Sequence, residues 1–245
     1  LTLEEVVDMV SSLLNDAQQR EYVEQSSADL GYSIEGRGRF RISCFQQQRG
    51  PAISVRYIPE DVGSLAELGL PADIALLSNI ASGMVLFCGP TGSGKSTTQA
   101  ALLRQINEDH SLHVITLEDP IEYIHHSRSS LIHQREIGEH APSFERGLKD
   151  ALREDPDVIL VGELRDRETI SLALTAAETG HLVLGTLHVS TTTTAITRLL
   201  HTFTEFERPL ARAQIAESLR AVVNQRLFAH AEGSGLVPLV ELLRV

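Results

Sequence analysis

The sequence predicts an α/β protein: a mainly parallel sheet with helices on its faces, preceded by a small α+β unit. Three observations lead there. From about residue 72, short apolar runs ("MVLFC", "HVITL", "VILVG", "HLVLGTL") alternate with helical patterns beginning near Lys95, Ser143 and Asp166, which is the order of strand–helix repetition. Those runs are unbroken, as strands covered on both faces are. Before residue 59 the texture differs, with helical periodicity giving way to strict alternation. The 245 residues, 42% of them hydrophobic, suffice for one large domain or two modest ones, each with its own core.

Taken in order, "TLEEVVDMVSSLL" places Val6, Val7, Val10, Leu13 and Leu14 at helical spacing. Thr2 and Glu5 stand where a capping box would start it. "DAQQREYVEQ" reads as a second, more polar helix. "GRGRFRISCFQQQ" alternates, with Phe40, Ile42 and Cys44 on one face and Arg39, Arg41 and Ser43 on the other. After the "QQRGP" turn, "AISVRYI" sets Ser54 and Arg56 opposite Ile53, Val55 and Tyr57. "PEDVGSLAELGLP" lacks periodicity and reads as a linker. The expected division is therefore an N-terminal domain over 1–58, a linker over 59–71 and a larger domain over 72–245. In the tail, "ERPLARAQIAESLRAVVNQRL" reads as a helix and "GLVPLVELLRV" as a last strand.

Charge and composition exclude several functions. A net charge of −12 makes a poor generic binder of nucleic acid or anionic lipid, and 4% aromatics leave little for base stacking. Cys44 and Cys88 lie far apart, with no CxxC pairing, against a zinc ribbon or a disulfide scaffold and in keeping with a reducing compartment. No apolar run approaches the ~18 residues of a membrane helix and no signal peptide leads the chain. A cytoplasmic location is expected. The chain opens on Leu1 rather than Met, as a fragment would.

"GPTGSGKST", comprising Gly89, Pro90, Thr91, Gly92, Ser93, Gly94, Lys95, Ser96 and Thr97, matches the full GxxxxGK[ST] pattern between an apolar strand and a helix. Glycines let consecutive backbone amides turn inward, and the helix presents its positive end to phosphate. Lys95 would reach the β- and γ-phosphates, and the Ser96 hydroxyl would sit on Mg²⁺. Lysine occurs only at 95 and 149.

"DPDVILVGELRD" delivers a carboxylate, Glu163, at the tip of a strand of unbroken apolar character. Ligands of open α/β sheets bind at the carboxyl ends of the strands. A carboxylate there can orient and deprotonate an attacking water, a role worth ~10²–10⁴ in rate. The acid that usually holds the metal on such a strand has no counterpart at Val161 or Gly162. Because "HVITL" lies in sequence between the loop and "VILVG", an extra strand can sit between them in the sheet. "ITLEDPIEY" ends its strand on Glu118 and Asp119, candidates to hold Mg²⁺ through water or to orient the nucleophile, against the alternative of a solvated turn. "LGTLHVSTTTT" ends on His188, placed to donate to a γ-phosphate oxygen, whereas His181 at the strand's start belongs to packing or capping.

Together "GPTGSGKST", "ALREDPDVILVGELRD" and "AAETGHLVLGTLH", with "ITLEDPIEY" between, resemble the bacterial type II/type IV secretion ATPases, most nearly the PilT-like branch. The N-terminal "GRFRISCFQQQRG" and "VRYIP" are similar to the same branch. The resemblance implies a RecA-like P-loop core behind a PAS-like N-terminal domain. It also implies a homohexameric ring hydrolysing ATP with Mg²⁺ to move pilin subunits at an inner-membrane platform protein. Such a protein is cytoplasmic and peripheral to that membrane, with no transmembrane segment and no direct nucleic-acid partner. On this resemblance Glu163 is the catalytic glutamate, Glu118 and Asp119 lie in an "Asp box", and His181 and His188 in a "His box". Arg41 and Arg56, fifteen positions apart, correspond to N-domain arginines that contact the triphosphate; the alternative is surface arginines keeping an edge strand soluble. Arg153 and Arg165 could serve similarly, or tie the catalytic strand to its neighbours. The family's chains extend further at both ends, and the missing C-terminal region bears a motif tied to retraction. The alternative is a related secretion or conjugation ATPase.

Overall fold

The computed structural model describes residues 2–34, 37–59, 61–231, 233 and 235–245. Contacts divide it into two units: Leu1–Asp61 with Pro120–Ile124, and Val62–Asp119 with His125–Val245. The boundary at Asp61/Val62 falls inside the stretch read as a linker. That stretch is packed over most of its length. Val62, Leu65 and Leu70 are buried, Ser64 and Glu67 bond each other's backbone amides, and Arg104 donates to Val62 O at 2.6 Å.

In the first unit, α1 (Leu3–Leu13) carries the expected capping box, with Thr2 N donating to Glu5 Oε2 at 2.7 Å and Glu5 N to Thr2 Oγ1 at 3.2 Å. A second box, Asn15 with Gln18, starts α2 (Asp16–Gln25). An antiparallel sheet follows, in the order β1 (Ser27–Ile34), β2 (Gly38–Gln47), β3 (Gly50–Ile58). Val10, Leu14, Ala28, Leu30, Ile42 and Cys44 make the core. Sequence reading passed over β1, because only Ala28 and Leu30 face that core and the neighbouring Asp29 and Gly31 are weak strand formers. Along β3, Ile53 packs inward, but Val55 and Tyr57 are 58% and 56% exposed. The helical cover, with Leu3 against Gly50, lies at the other end of that strand.

The second unit begins with a short helix, α3 (Ala72–Ala75), and a 3-10 turn, Leu76–Asn79. Then come β4 (Gly83–Cys88), α4 (Lys95–Asp109), β5 (His113–Glu118), β6 (Leu131–Glu136), α5 (Phe144–Ala151), β7 (Val158–Val161), α6 (Arg167–Glu178), β8 (Leu182–Leu187), α7 (Thr192–His201), α8 (Arg208–Ser218), β9 (Leu219–Ala229) and β10 (Leu236–Arg244). Seven strands form one sheet in the order β10-β9-β4-β8-β7-β5-β6, parallel except for β10.

Two expectations are corrected. The strand between the loop strand β4 and the Glu163 strand β7 is β8, not β5. Every residue of β4, β7 and β8 is buried, so these three take the centre, while the polar β6 ("LIHQRE") takes an edge and draws β5 towards it. Sequence order does not set spatial order when helical crossovers can skip a strand. The tail helix stops at Ser218, and Leu219–Ala229 is strand β9. An apolar "AVV" run fits either element; pairing of Val85–Cys88 with Ala221–Asn224 decides it. Strand β6 and helix α7 were also passed over.

Both thiols are fully buried, in different units. Burial pushes the Cys88 thiol up to about 12 and raises that of Cys44. Iodoacetamide at neutral pH should therefore label neither thiol in the native protein and both after denaturation, as read by mass spectrometry.

Candidate functional site

The chain leaves β4 at Cys88 and turns through three glycines at positive φ: Gly89 (+142°), Gly92 (+77°) and Gly94 (+87°). Two of them are also held by packing. A Cβ at Gly89 would lie 2.3 Å from Gln225 O and 2.5 Å from Ser93 Oγ, and one at Gly94 would lie 2.7 Å from Gln225 Nε2. Gly92 faces open space. Helix α4 starts at Lys95 with no side-chain cap, so its first-turn amides and positive dipole end are offered to an anion. Lys95 is buried, its Nζ donating to Gly89 O and Pro90 O at 2.9 Å each. Ser93 Oγ is buried without a hydrogen-bond partner among the described residues. A buried cation, an amide-lined turn and an orphaned hydroxyl together fit the phosphates of a nucleotide. Pro90, Thr91 and Ser96 are exposed and Thr97 is half-buried. From below, Gln225 of β9 braces the loop, its Oε1 accepting from Thr98 Oγ1 at 2.8 Å. Nothing local in the sequence marked Gln225; its role depends on β9 lying beside β4.

Glu163 stands on the loop after β7, where the backbone is fastened on both sides. Gly162 N donates to Leu117 O of β5 at 2.8 Å, and Leu164 N to Thr186 O of β8 at 3.0 Å. Leu164 is buried against Gly185, where a Cβ would come within 2.6 Å of Leu164 Cδ1. One strand, β8, separates β7 from β4, so their carboxyl ends are about 10 Å apart. The Glu163 side chain, 20% exposed, has Oε2 at 2.7 Å from Arg165 and Oε1 at 3.5 Å from His188 Nε2. Bonding to Glu163 raises the Arg165 guanidinium, with the charge of Asp119 adding to the effect. Arg165 and His188 thus flank the Glu163 carboxylate. Asp166 does not; it caps α6, accepting from Thr169 N at 2.7 Å and Thr169 Oγ1 at 2.8 Å.

Glu118 Oε1 accepts from Thr116 Oγ1 at 2.6 Å and from Gln134 Nε2 at 3.1 Å, while Asp119 is exposed. His181 lies at the opposite end of β8, its Nδ1 2.9 Å from Ala176 O. Arg153 follows α5 on the surface. Arg41 and Arg56 belong to the first unit, where they are direct partners across β2 and β3. Like charges so placed oppose pairing by a few tenths of a kcal/mol, and Asp29, 3.8 Å from Arg41, offsets part of this. Among the described residues no group of three or more His, Cys, Asp or Glu side chains could hold a metal ion. No helix among them is long and apolar enough to cross a membrane.

The loop geometry separates two glycines. Gly94→Ala combines a disallowed φ with the Gln225 clash and should lower stability by about 2 kcal/mol or more, with nucleotide affinity falling beyond measurement. Gly92→Ala carries only the φ penalty and should cost about 1 kcal/mol with a weaker loss of affinity. Thermal melts and titration with a fluorescent nucleotide check both.

Comparison with known proteins places this geometry. A family model described as "Type II/IV secretion system protein" matches residues 26–234. The "Twitching motility protein" of Neisseria gonorrhoeae is 48% identical over 243 residues, 99% of this chain and 65% of that one. The "Type IV pilus retractation ATPase PilT" of Pseudomonas aeruginosa is 43% identical over 235 residues, 96% of this chain and 68% of that one. The chain thus spans about two thirds of the length of these relatives. A crystal structure of the pilus retraction motor PilT with bound ADP superposes with a TM-score of 0.90 at 40% identity, covering 97% of this chain and 69% of that one. The Legionella pneumophila ATPase DotB gives 0.90 at 34% identity, covering 100% of this chain and 69% of that one. With its RecA-like sheet and a nucleotide-binding loop in place, the chain belongs to the type II/IV secretion system protein family.

Proposed function

We propose that the protein is an ATP-hydrolysing motor subunit of type IV pilus retraction, working as a homohexamer at an inner-membrane platform protein. The observation that carries this reading is Glu163, fastened between β5 and β8 with its carboxylate at the carboxyl end of the sheet, one strand removed from the phosphate loop. Lys95, with the loop amides, would hold the β- and γ-phosphates, exchanging its bonds to Gly89 O and Pro90 O for bonds to phosphate oxygens. Ser96, exposed at the start of α4, would supply the protein oxygen to Mg²⁺. A bound Mg²⁺ neutralises developing charge on the phosphates and keeps most of its waters, so one protein ligand suits it.

Glu163 would orient and deprotonate water. Its pair with Arg165, whose side chain is 68% exposed, is weak by solvent screening, which leaves the carboxylate free to turn. His188, 3.5 Å from the same carboxylate, would donate to a γ-phosphate oxygen. Arg41 and Arg56 would supply positive charge from the first unit; an anion bound there would relieve their mutual repulsion across β2 and β3. Arginines of this kind contribute ~10³–10⁵ in rate. Release of that clamp after hydrolysis would drive the stroke through a two-state change of the first unit.

A related secretion ATPase is the second reading, favoured by the likeness to the "Type II secretion system protein E" of Pseudomonas aeruginosa, 39% identical over 194 residues. The acidic net charge of −12 weighs against a DNA-directed motor.

Glu163→Gln should bind ATP as the wild type does and lose ~10²–10⁴ of turnover. Phosphate release and nucleotide titration measure the two separately, and near-normal hydrolysis by the variant removes Glu163 from its role. ATPase activity measured against protein concentration, with particle size followed in parallel, should rise as rings form; activity independent of assembly would refute the ring reading.

A further inference from the structure

Between β5 and β6 the chain makes a short excursion. It leaves the second unit after Asp119, contributes Pro120–Ile124 to the first unit, and returns at His125. One side chain closes the base. Gln134 on β6 donates from Nε2 to Glu118 Oε1 at 3.1 Å and accepts His125 N on Oε1 at 2.7 Å. Further pegs are Ile137 N on Glu118 O at 2.8 Å and Thr116 Oγ1 on Glu118 Oε1. Burial pushes the His125 ring down to about 4, so it sits neutral at the return point near neutral pH.

The tip is held by a side chain of the first unit, to which it belongs. Arg39 of β2 donates from Nε to Ile121 O at 2.9 Å and from a terminal nitrogen to Ser33 Oγ at 3.2 Å. Ile121 is 6% exposed. The guanidinium occupies the space that a side chain at residue 31 would take, since a Cβ on Gly31 would lie 2.2 Å from it. Arg39 stands two positions from Arg41 on the same strand.

We infer that Arg39 and Gln134 are positioning residues that link the first unit to the Glu118–Asp119 carboxylates. A charged donor makes a stronger bond than a neutral one, and Pro120 removes backbone freedom between Asp119 and the held tip. Displacement of β2 is therefore carried along two peptide units to Asp119 rather than lost in slack, while Gln134 keeps both stems in register. The inference rests on the proposed function in one respect: that the first unit responds to nucleotide.

The test is hydrogen exchange by mass spectrometry on the intact chain, with and without a non-hydrolysable ATP analogue. In the wild type the analogue should slow exchange both at 89–97 and at 121–124. In Arg39→Ala the first effect should persist and the second vanish, with Arg39→Lys keeping both. Gly31→Val, which displaces the guanidinium while leaving Arg39 in place, should reproduce Arg39→Ala. Where turnover is measured, Arg39→Ala should lower kcat about 2- to 30-fold with nucleotide affinity unchanged within about twofold. Persistence of both effects in Arg39→Ala, loss of both together, or an analogue effect confined to 89–97 in the wild type would overturn the link. Because exchange reports binding without hydrolysis, an inactive Glu163 site and an absent link give different results.

Discussion

Two backbone hydrogen bonds fix the segment that carries Glu163: Gly162 N to Leu117 O and Leu164 N to Thr186 O. They bind the residues on either side of Glu163 to strands on both flanks of β7. A loop acid in solvent would sample many orientations; this one has its backbone set by the sheet itself. Leu164 adds a buried anchor, worth about 2–5 kcal/mol against truncation to Ala. Its seat exists because residue 185 has no side chain. Glu163 can therefore keep a weak, exchangeable pair with Arg165, since its position does not depend on that pair.

The phosphate loop is built on the same logic from the other side. Its conformation belongs to its glycines, but its floor belongs to β9, through Gln225 O beneath Gly89, Gln225 Nε2 beneath Gly94, and Thr98 bonded to Gln225 Oε1. Between the two stations lies β8, whose Thr186 donates to Gln99 Oε1 of α4 at 3.1 Å while accepting from Leu164 N. A single strand thus touches both the helix that follows the phosphate loop and the segment that presents the glutamate. Buried contacts of this kind tolerate little independent movement.

The unit boundary sharpens the picture. A linear reading cut the chain once, near residue 59, because composition and periodicity change there. Contacts cut it again around Pro120–Ile124, a short run that belongs to the first unit although the chain on either side belongs to the second. Proline and mixed polarity had marked "EDPIEY" as the end of a strand. No local feature marked it as part of the first unit, because the bond that ties Ile121 O there comes from Arg39, 82 positions away.

Motifs with a local mechanism were legible in the sequence: the glycine–lysine loop, the capping box of Thr2 and Glu5, and the acid at the end of an unbroken apolar run. Each works within a few residues, so the chain's own order contains it. Ambiguity began where one pattern served two elements, as with "AVVNQ", which is helix-like alone and becomes strand only against β4. It was complete where spatial order mattered. Which strand lies beside which, and so which glutamine braces the phosphate loop, depends on helical crossovers that skip neighbours; which arginine holds Ile121 depends on a contact across 82 positions. Tertiary structure decided these, because the burial that selects a pairing is shared among distant segments and is encoded in none of them singly.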